Sequence, residues 1–415
     1  MFYKIMRICT FCAIGVLTVF VGVYFYDAKQ KQTPTADTTV QHTEQSTRDD
    51  VQHSDVVQIQ EEQVTKAKQD DEKDLRTGIN IDCARRFCTL DELKKYVDIV
   101  AEDRNPFIHV HFTDNENVGI ECLLLDQVAD EAHRNENGTY TNPQTKKRFL
   151  SRAQAQELRA YAEEKGVDFV PEIDLPAHAG GFFRLARIKY GSAYVASVAA
   201  DIAEGEISIT DEKGLAFAES LYGEYADLFA GNRYFHMGCD ELFNQPADAQ
   251  IAYINRMAKF LHAKGFDLWM WPDFITKKHI TNTPNDITIT YWSADGDTED
   301  DAERAQRRRV RATVPELQDA GFSVINYNSY YLYFVPSLES CTPDDMGEML
   351  WDIKNRWKLS MWDGEYGAPA KRTDGIVGAG LSIWREDARG LSSDTIYGHA
   401  SRFYRAMADN VLQEQ

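Results

Sequence analysis

The sequence predicts an α/β protein, a closed (β/α)8 barrel in which parallel strands alternate with helices. Three observations predict it. From Arg76 onward, short β-rich runs recur between longer amphipathic or polar stretches. Eight such runs fall between Arg76 and the end of the chain, and strands that alternate with helices build a parallel sheet. Acidic and aromatic residues gather just past the C-terminal ends of the runs, where a barrel of this class assembles its site. An open, doubly wound sheet is the alternative, but no G-x-G-x-x-G follows the first run.

The runs are residues 78–84, 107–113, 168–174, 233–238, 267–271, 287–292, 323–328 and 375–384. Between them, 90–103 and 152–165 carry apolar residues at helical spacing. Gly166 and Gly265 each follow a lysine where such a helix would end, the position of a C-cap.

Ahead of the barrel, residues 8–26 are almost unbroken apolar chain preceded by Lys4 and Arg7. This segment, 1–26, is expected to be either a signal peptide or an uncleaved signal-anchor that holds the rest of the chain outside the cell. Residues 27–75 contain no aromatic side chain and are rich in Gln, Thr, Asp, Glu and Lys. They cannot bury enough apolar surface to offset ordering, so a disordered linker is expected before a single catalytic domain at 76–415.

A net charge of −21 makes nucleic acid and anionic membrane surfaces poor partners. Beyond the apolar segment the cysteines are Cys83, Cys88, Cys122, Cys239 and Cys341, an odd number without a C-x-x-C pair among them. Neither a disulfide framework nor a zinc site follows. His109 and His111, two apart on one run, share a strand face as metal-ligating pairs do, but no further ligand set has suitable spacing. G-x-S-x-G is absent, which disfavours a serine hydrolase.

The run endings hold the candidate site. In order they are Asp82 with Arg85; Asp114, Asn115 and Glu116; Glu172, Asp174 and His178; His236, Asp240 and Glu241; Trp271 and Asp273; Trp292; Asn328, Tyr330, Tyr331 and Tyr333; then Trp384 and Glu386. Tryptophans, carboxylates and one arginine in a single mouth suit a sugar: rings stack on its apolar faces and charged groups meet its hydroxyls. Two facing carboxylates of an ordinary retaining glycosidase stand about 5–5.5 Å apart across the bond. Adjacent residues project in different directions, so Asp240 and Glu241 suit a split task instead. Glu241 protonates the glycosidic oxygen while Asp240 addresses another part of the sugar. Glu241, beside Asp240 and under aromatic cover, is expected to be hard to ionise.

H-M-G-C-D-E at 236–241, P-E-I-D-L-P-A-H at 171–178 and I-D-C-A-R-R-F at 81–87 resemble the signatures of family 20 glycoside hydrolases, the β-N-acetylhexosaminidases. H-F-T-D-N-E-N at 111–117, Y-W-S-A-D-G-D at 291–297, N-Y-N-S-Y-Y-L-Y at 326–333 and S-I-W-R-E-D-A at 382–388 are similar to its dispersin branch, which cleaves poly-β-1,6-N-acetylglucosamine of biofilm matrix. The resemblance runs from about residue 76 to 405. It departs at Ala177, Cys239 and Arg385, each at a position where glycine is usual or frequent, and Arg385 is expected to narrow the pocket or alter leaving-group subsites.

The resemblance implies substrate-assisted retention, in which the 2-acetamido oxygen of the sugar attacks its own anomeric carbon to give an oxazolinium. It makes Glu241 the general acid and then the base. Asp240 orients the acetamido group, and Tyr331, or Tyr333 in its place, hydrogen-bonds the acetamido oxygen. Trp271, Trp292 and Trp384 wall the pocket; Arg85 and Glu386 hold outer hydroxyls. Asp114, Asp174, His178 and His236 back these groups, with a structural role as the alternative. No metal or organic cofactor is implied. A general exo-hexosaminidase acting on chitin oligomers or glycans is the second reading, and a surface carbohydrate-binding protein without catalysis is the third.

Overall fold

The computed structural model describes residues 75–296, 298, 300–364 and 369–414. The apolar segment and all but the last residue of the linker expected at 27–75 lie outside the described residues. Among the described residues no helix is long and apolar enough to cross a membrane.

All eight expected strands are present: β1 Arg76–Asp82, β2 Pro106–His111, β3 Asp168–Leu175, β4 Tyr234–Gly238, β5 Asp267–Met270, β6 Thr288–Tyr291, β7 Val324–Asn326 and β8 Ile376–Ile383. Each pairs in parallel with its neighbour, and β8 returns to β1 with Arg76 opposite Gly378 through Ile81 opposite Ile383. That last ladder closes the sheet, so every strand finds a partner on both sides.

Side chains alternate between the two faces of each strand. Ile108 and Val110, Phe235 and Met237, Leu268 and Met270 point outward into the main apolar core under the helices. Phe107, Val170, Tyr234, Trp269, Ile325 and Tyr327 point inward and form a separate aromatic plug. Arg76 lies against this plug, its guanidinium 4.7 Å from the Tyr234 ring centroid and 5.4 Å from that of Trp269, with an ion pair to Asp168.

Helices α1 Leu90–Val100 and α2 Arg152–Glu164 follow β1 and β2, each opened by a reciprocal capping box, Thr89 with Glu92 and Ser151 with Gln154. The two expected C-cap glycines, Gly166 and Gly265, do adopt positive φ. The loops at the C-terminal mouth carry insertions that the hydrophobic pattern did not show. The hairpin Ala199–Asp201/Glu206–Ile207 sits between β3 and β4. A two-residue strand, Tyr333–Phe334, follows β7 and pairs with the end of β8, Tyr333 opposite Ser382.

Candidate active site

β4 ends at Gly238, and the backbone then makes an abrupt bend. Gly238, Cys239 and Glu241 all have positive φ, at 71°, 74° and 45°. A side chain at 238 is excluded twice, since a Cβ there would also lie 1.9 Å from Asp174 Oδ1. The bend brings both acids to one imidazole: His178 Nε2 is 3.7 Å from Asp240 Oδ1 and 3.5 Å from Glu241 Oε2. Their side chains are 15% and 26% exposed, so Asp240 is the deeper of the two.

A chain of charges supports them from the barrel floor. Glu172 is fully buried; its Oε2 contacts His111 Nδ1 at 2.8 Å and its Oε1 accepts Trp271 Nε1–H at 2.7 Å. His109 and His236 approach the same carboxylate at 3.0 and 3.2 Å. His111 Nε2 reaches Asp114 Oδ2 at 2.9 Å, Asp114 Oδ1 faces His178 Nδ1 at 3.3 Å, and Arg85 pairs with Asp114 at 2.7 Å.

Burial works against every charge here, and the partners decide which survive. Burial would raise the Glu172 and Asp114 carboxyls, but the histidines around Glu172, and Arg85 and His178 beside Asp114, hold both well below the usual range. Burial would lower His111 and His178, yet their carboxylate neighbours hold both well above an ordinary histidine. His109, with burial and His236 against it, falls to about 4. Asp174 is pushed up to about 7, burial outweighing the favourable charge of His178.

The acid pair itself departs from the sequence expectation. Burial and the neighbouring Asp174 hold Asp240 well above the usual carboxylate range. Burial pushes Glu241 the same way, but a hydrogen bond and charge from His178, with Arg85 and Arg311, bring it below its ordinary value. Asp240 thus holds a proton more tightly, and Glu241 less tightly, than an ordinary carboxyl, because His178 and the two arginines favour the Glu241 anion.

Aromatic rings enclose the pocket over these acids. Tyr333 stacks on Trp292 at 6.0 Å and 7°, and meets Trp384 edge-on at 5.7 Å. Trp271 lies 6.2 Å from Trp384. Asp273 fixes Trp292 by accepting its Nε1–H at 2.8 Å, and Arg311 is ion-paired to Asp273. The Tyr333 hydroxyl feels the charges of Asp240, Asp273 and Glu241, which together with burial hold it well above an ordinary tyrosine. Tyr331 is elsewhere: it packs in the apolar core beneath the helices. The short strand Tyr333–Phe334 is the reason, since pairing with β8 aims Tyr333 into the barrel.

Arg85 lies 5.1 Å over the Trp384 ring, and exposed Glu386 at the rim acts on its charge. Arg385 does not narrow the pocket. Its backbone N–H donates to Asp82 Oδ2 at 3.1 Å, and its buried side chain turns away to the Cys88 thiol. With Trp384 facing the barrel, strand alternation sends the next residue outward. His236 donates to or accepts from Thr290 Oγ1 at 2.9 Å below the acids.

Two site features escaped sequence reading. Glu172 stood among the run endings without a role, and it proves to be the hub for three histidines and Trp271. Arg311 sits among the basic residues after 301–310, and nothing local signals its contact with Asp273. Among the described residues, three groups bring nitrogen or oxygen atoms within 4.8 Å as a metal would require: His109, Glu172 and His236; His111, Glu172 and Asp174; Asp174, His178 and Asp240. All belong to the network above, where Glu172 already satisfies His111 and Trp271.

The catalytic-domain model of glycosyl hydrolase family 20 matches residues 76–397. The crystal structure of Dispersin B superposes with a TM-score of 0.77 at 37% identity, covering 81% of this chain and 99% of that one. A beta-hexosaminidase of Akkermansia muciniphila is 22% identical over 74% of this chain and 63% of its own length. A lacto-N-biosidase of Bifidobacterium bifidum is 22% identical over 58% of this chain and 21% of its own. The chain thus spans less than two thirds of these curated relatives. An eight-stranded parallel barrel, acids and aromatic rings at one mouth, and a family match over residues 76–397 have one conclusion: the chain belongs to glycosyl hydrolase family 20.

Proposed function

We propose that this protein is a retaining glycoside hydrolase that cleaves β-linked N-acetylglucosamine with the sugar's own 2-acetamido group as nucleophile. The observation that carries the reading is the meeting of Asp240, Tyr333 and three tryptophans in one pocket, with Glu241 at its more exposed rim. Asp240 accepts the acetamido N–H, and the Tyr333 hydroxyl donates to the acetamido oxygen, aiming that oxygen at the anomeric carbon. Trp271, Trp292 and Trp384 wall the acetamido group and the sugar face. Arg85 and Glu386 bind outer hydroxyls.

Proton placement follows from the same geometry. An acetamido N–H directed at Asp240 stabilises its anion. A leaving-group sugar over Glu241 strips away the water that favours ionisation there. Both effects favour protonated Glu241 over protonated Asp240, and Glu241 delivers its proton to the glycosidic oxygen. Glu241 then takes a proton from water as the oxazolinium opens.

The 1,6-linked polymer is the proposed substrate. Support comes from the four dispersin-like motifs and from the likeness to Dispersin B over nearly all of its length. The apolar segment at 8–26 supports export, with action outside the cell. The test is hydrolysis of poly-β-1,6-N-acetylglucosamine beside chitin oligomers, with Glu241→Gln as control. Cleavage of the 1,6-linked polymer, lost in the variant, is expected. Activity on chitin oligomers alone would make this a general hexosaminidase, and binding without turnover would defeat the enzymatic reading.

A further inference from the structure

One buried carboxylate close to the acid pair takes no part in the chemistry above. Glu206, on the second arm of the inserted hairpin, is 1% exposed, and its Oε1 accepts the backbone N–H of Phe243 at 3.0 Å. The same arm holds the same loop twice more. Gln245 Nε2 donates to the Ile207 carbonyl at 2.8 Å, and Ile209 N–H donates to Gln245 Oε1 at 2.7 Å. The hairpin is in turn fastened to the loop that carries His178: Ile207 N–H donates to the Pro176 carbonyl and Ala179 N–H to that of Gly205, both at 2.8 Å. It therefore ties the His178 loop to the Glu241 loop.

The Glu241 loop requires such fastening. Cys239 and Glu241, both with side chains, sit at positive φ, a strained conformation that persists only where the surroundings impose it. Glu206 brings an ionisable acceptor to this loop: burial raises its carboxyl, and the backbone amides of Phe243 and Asn244 act against that by favouring the anion. Its target, Phe243, is two residues from Glu241.

We infer that Glu206 is a positioning residue: by gripping the Phe243 amide it fixes the loop that aims the Glu241 carboxyl at the leaving group. The inference rests on Glu241 being the acid. A misaimed acid slows departure of a sugar alcohol, which must be protonated, far more than departure of a nitrophenol, which leaves as a stable anion. A hairpin that only stabilised the fold would affect both alike.

The test is kcat/KM for an N-acetylglucosaminide with each leaving group, in Glu206→Ala, Glu206→Gln and Glu241→Gln. For Glu206→Ala the expected loss is roughly 10–100-fold with the sugar leaving group and about threefold or less with nitrophenol. Glu206→Gln keeps a neutral acceptor and is expected to show the same asymmetry at smaller amplitude, which covers an alanine variant that does not fold. Equal losses on both substrates, or none on either, overturn the inference. If Glu241→Gln shows the asymmetry and the Glu206 variants do not, only this inference fails. If Glu241→Gln lacks it too, the assignment of the acid fails as well.

Discussion

His178 Nε2 lies 3.5 Å from Glu241 Oε2, and this contact brings the Glu241 carboxyl below its ordinary value against the burial that would raise it. Asp114 sustains the charge that does so, since its Oδ1 faces His178 Nδ1 at 3.3 Å while Arg85 and His111 hold Asp114 ionised. A relay of opposite charges thus runs from Glu172 on the barrel floor to the acids at the rim.

His178→Gln tests that relay. Removing a cation beside two carboxylates raises the proton affinity of both, so both limbs of the kcat/KM–pH profile are expected to move to higher pH. The pair titrates as a unit, so the shift belongs to its apparent values and not to one residue. A profile that stays in place, or moves to lower pH, would show that His178 carries no charge in the active form.

The two tyrosines separate on hydroxyl removal. Tyr333→Phe takes away the proposed donor to the acetamido oxygen and is expected to lower kcat by about 10²–10³-fold, as loss of a preorganised donor does. Tyr331→Phe, in the apolar core, is expected to leave kcat within about threefold and to register in stability instead. Steady-state kinetics of the two variants settles which hydroxyl serves.

Asp174 gives a stability signature. Its folded carboxyl retains its proton up to about 7, whereas the unfolded one releases it near 3.8. Between those values the native state binds the extra proton, so this group makes stability fall as pH rises. In Asp174→Asn that contribution is gone, and its stability relative to the unmodified protein is expected to climb from about pH 4 to about pH 7. Urea midpoints across that range measure it.

Gly238→Ala is expected to be severe. The new Cβ meets the positive φ and would lie 1.9 Å from Asp174 Oδ1 and 2.8 Å from the backbone of Asp174 and Leu175. Such a change costs several kcal/mol, on the order of the largest single-site effects. Thermal unfolding and activity are expected to fall together.

The barrel was legible because each strand is buried on both faces and reads as a short apolar run, while its polar residues mark the C-terminal end. That reading located Asp240, Glu241, Arg85 and the three tryptophans in one mouth. Tyr331 against Tyr333 was not decidable by alternation, because the intervening turn Ser329–Leu332 resets the phase before the short strand begins. Arg385 turns to Cys88 at the strand end, a direction that its neighbours Trp384 and Glu386 do not reveal in sequence. The proton order of the pair depends on His178, Arg85 and Arg311, three residues from three separate loops. No local pattern encodes where such charges meet.

The 2-acetamido oxygen is the proposed nucleophile, guided by Asp240 and Tyr333. The most direct measurement of its role is kcat/KM for a series of substrates whose acetamido methyl carries zero, one, two or three fluorines, with the leaving group held constant. Fluorine withdraws electrons from the oxygen, so a steep, monotonic fall along the series is expected. A flat response would rule out the acetamido oxygen and leave an enzyme carboxylate as the attacking group.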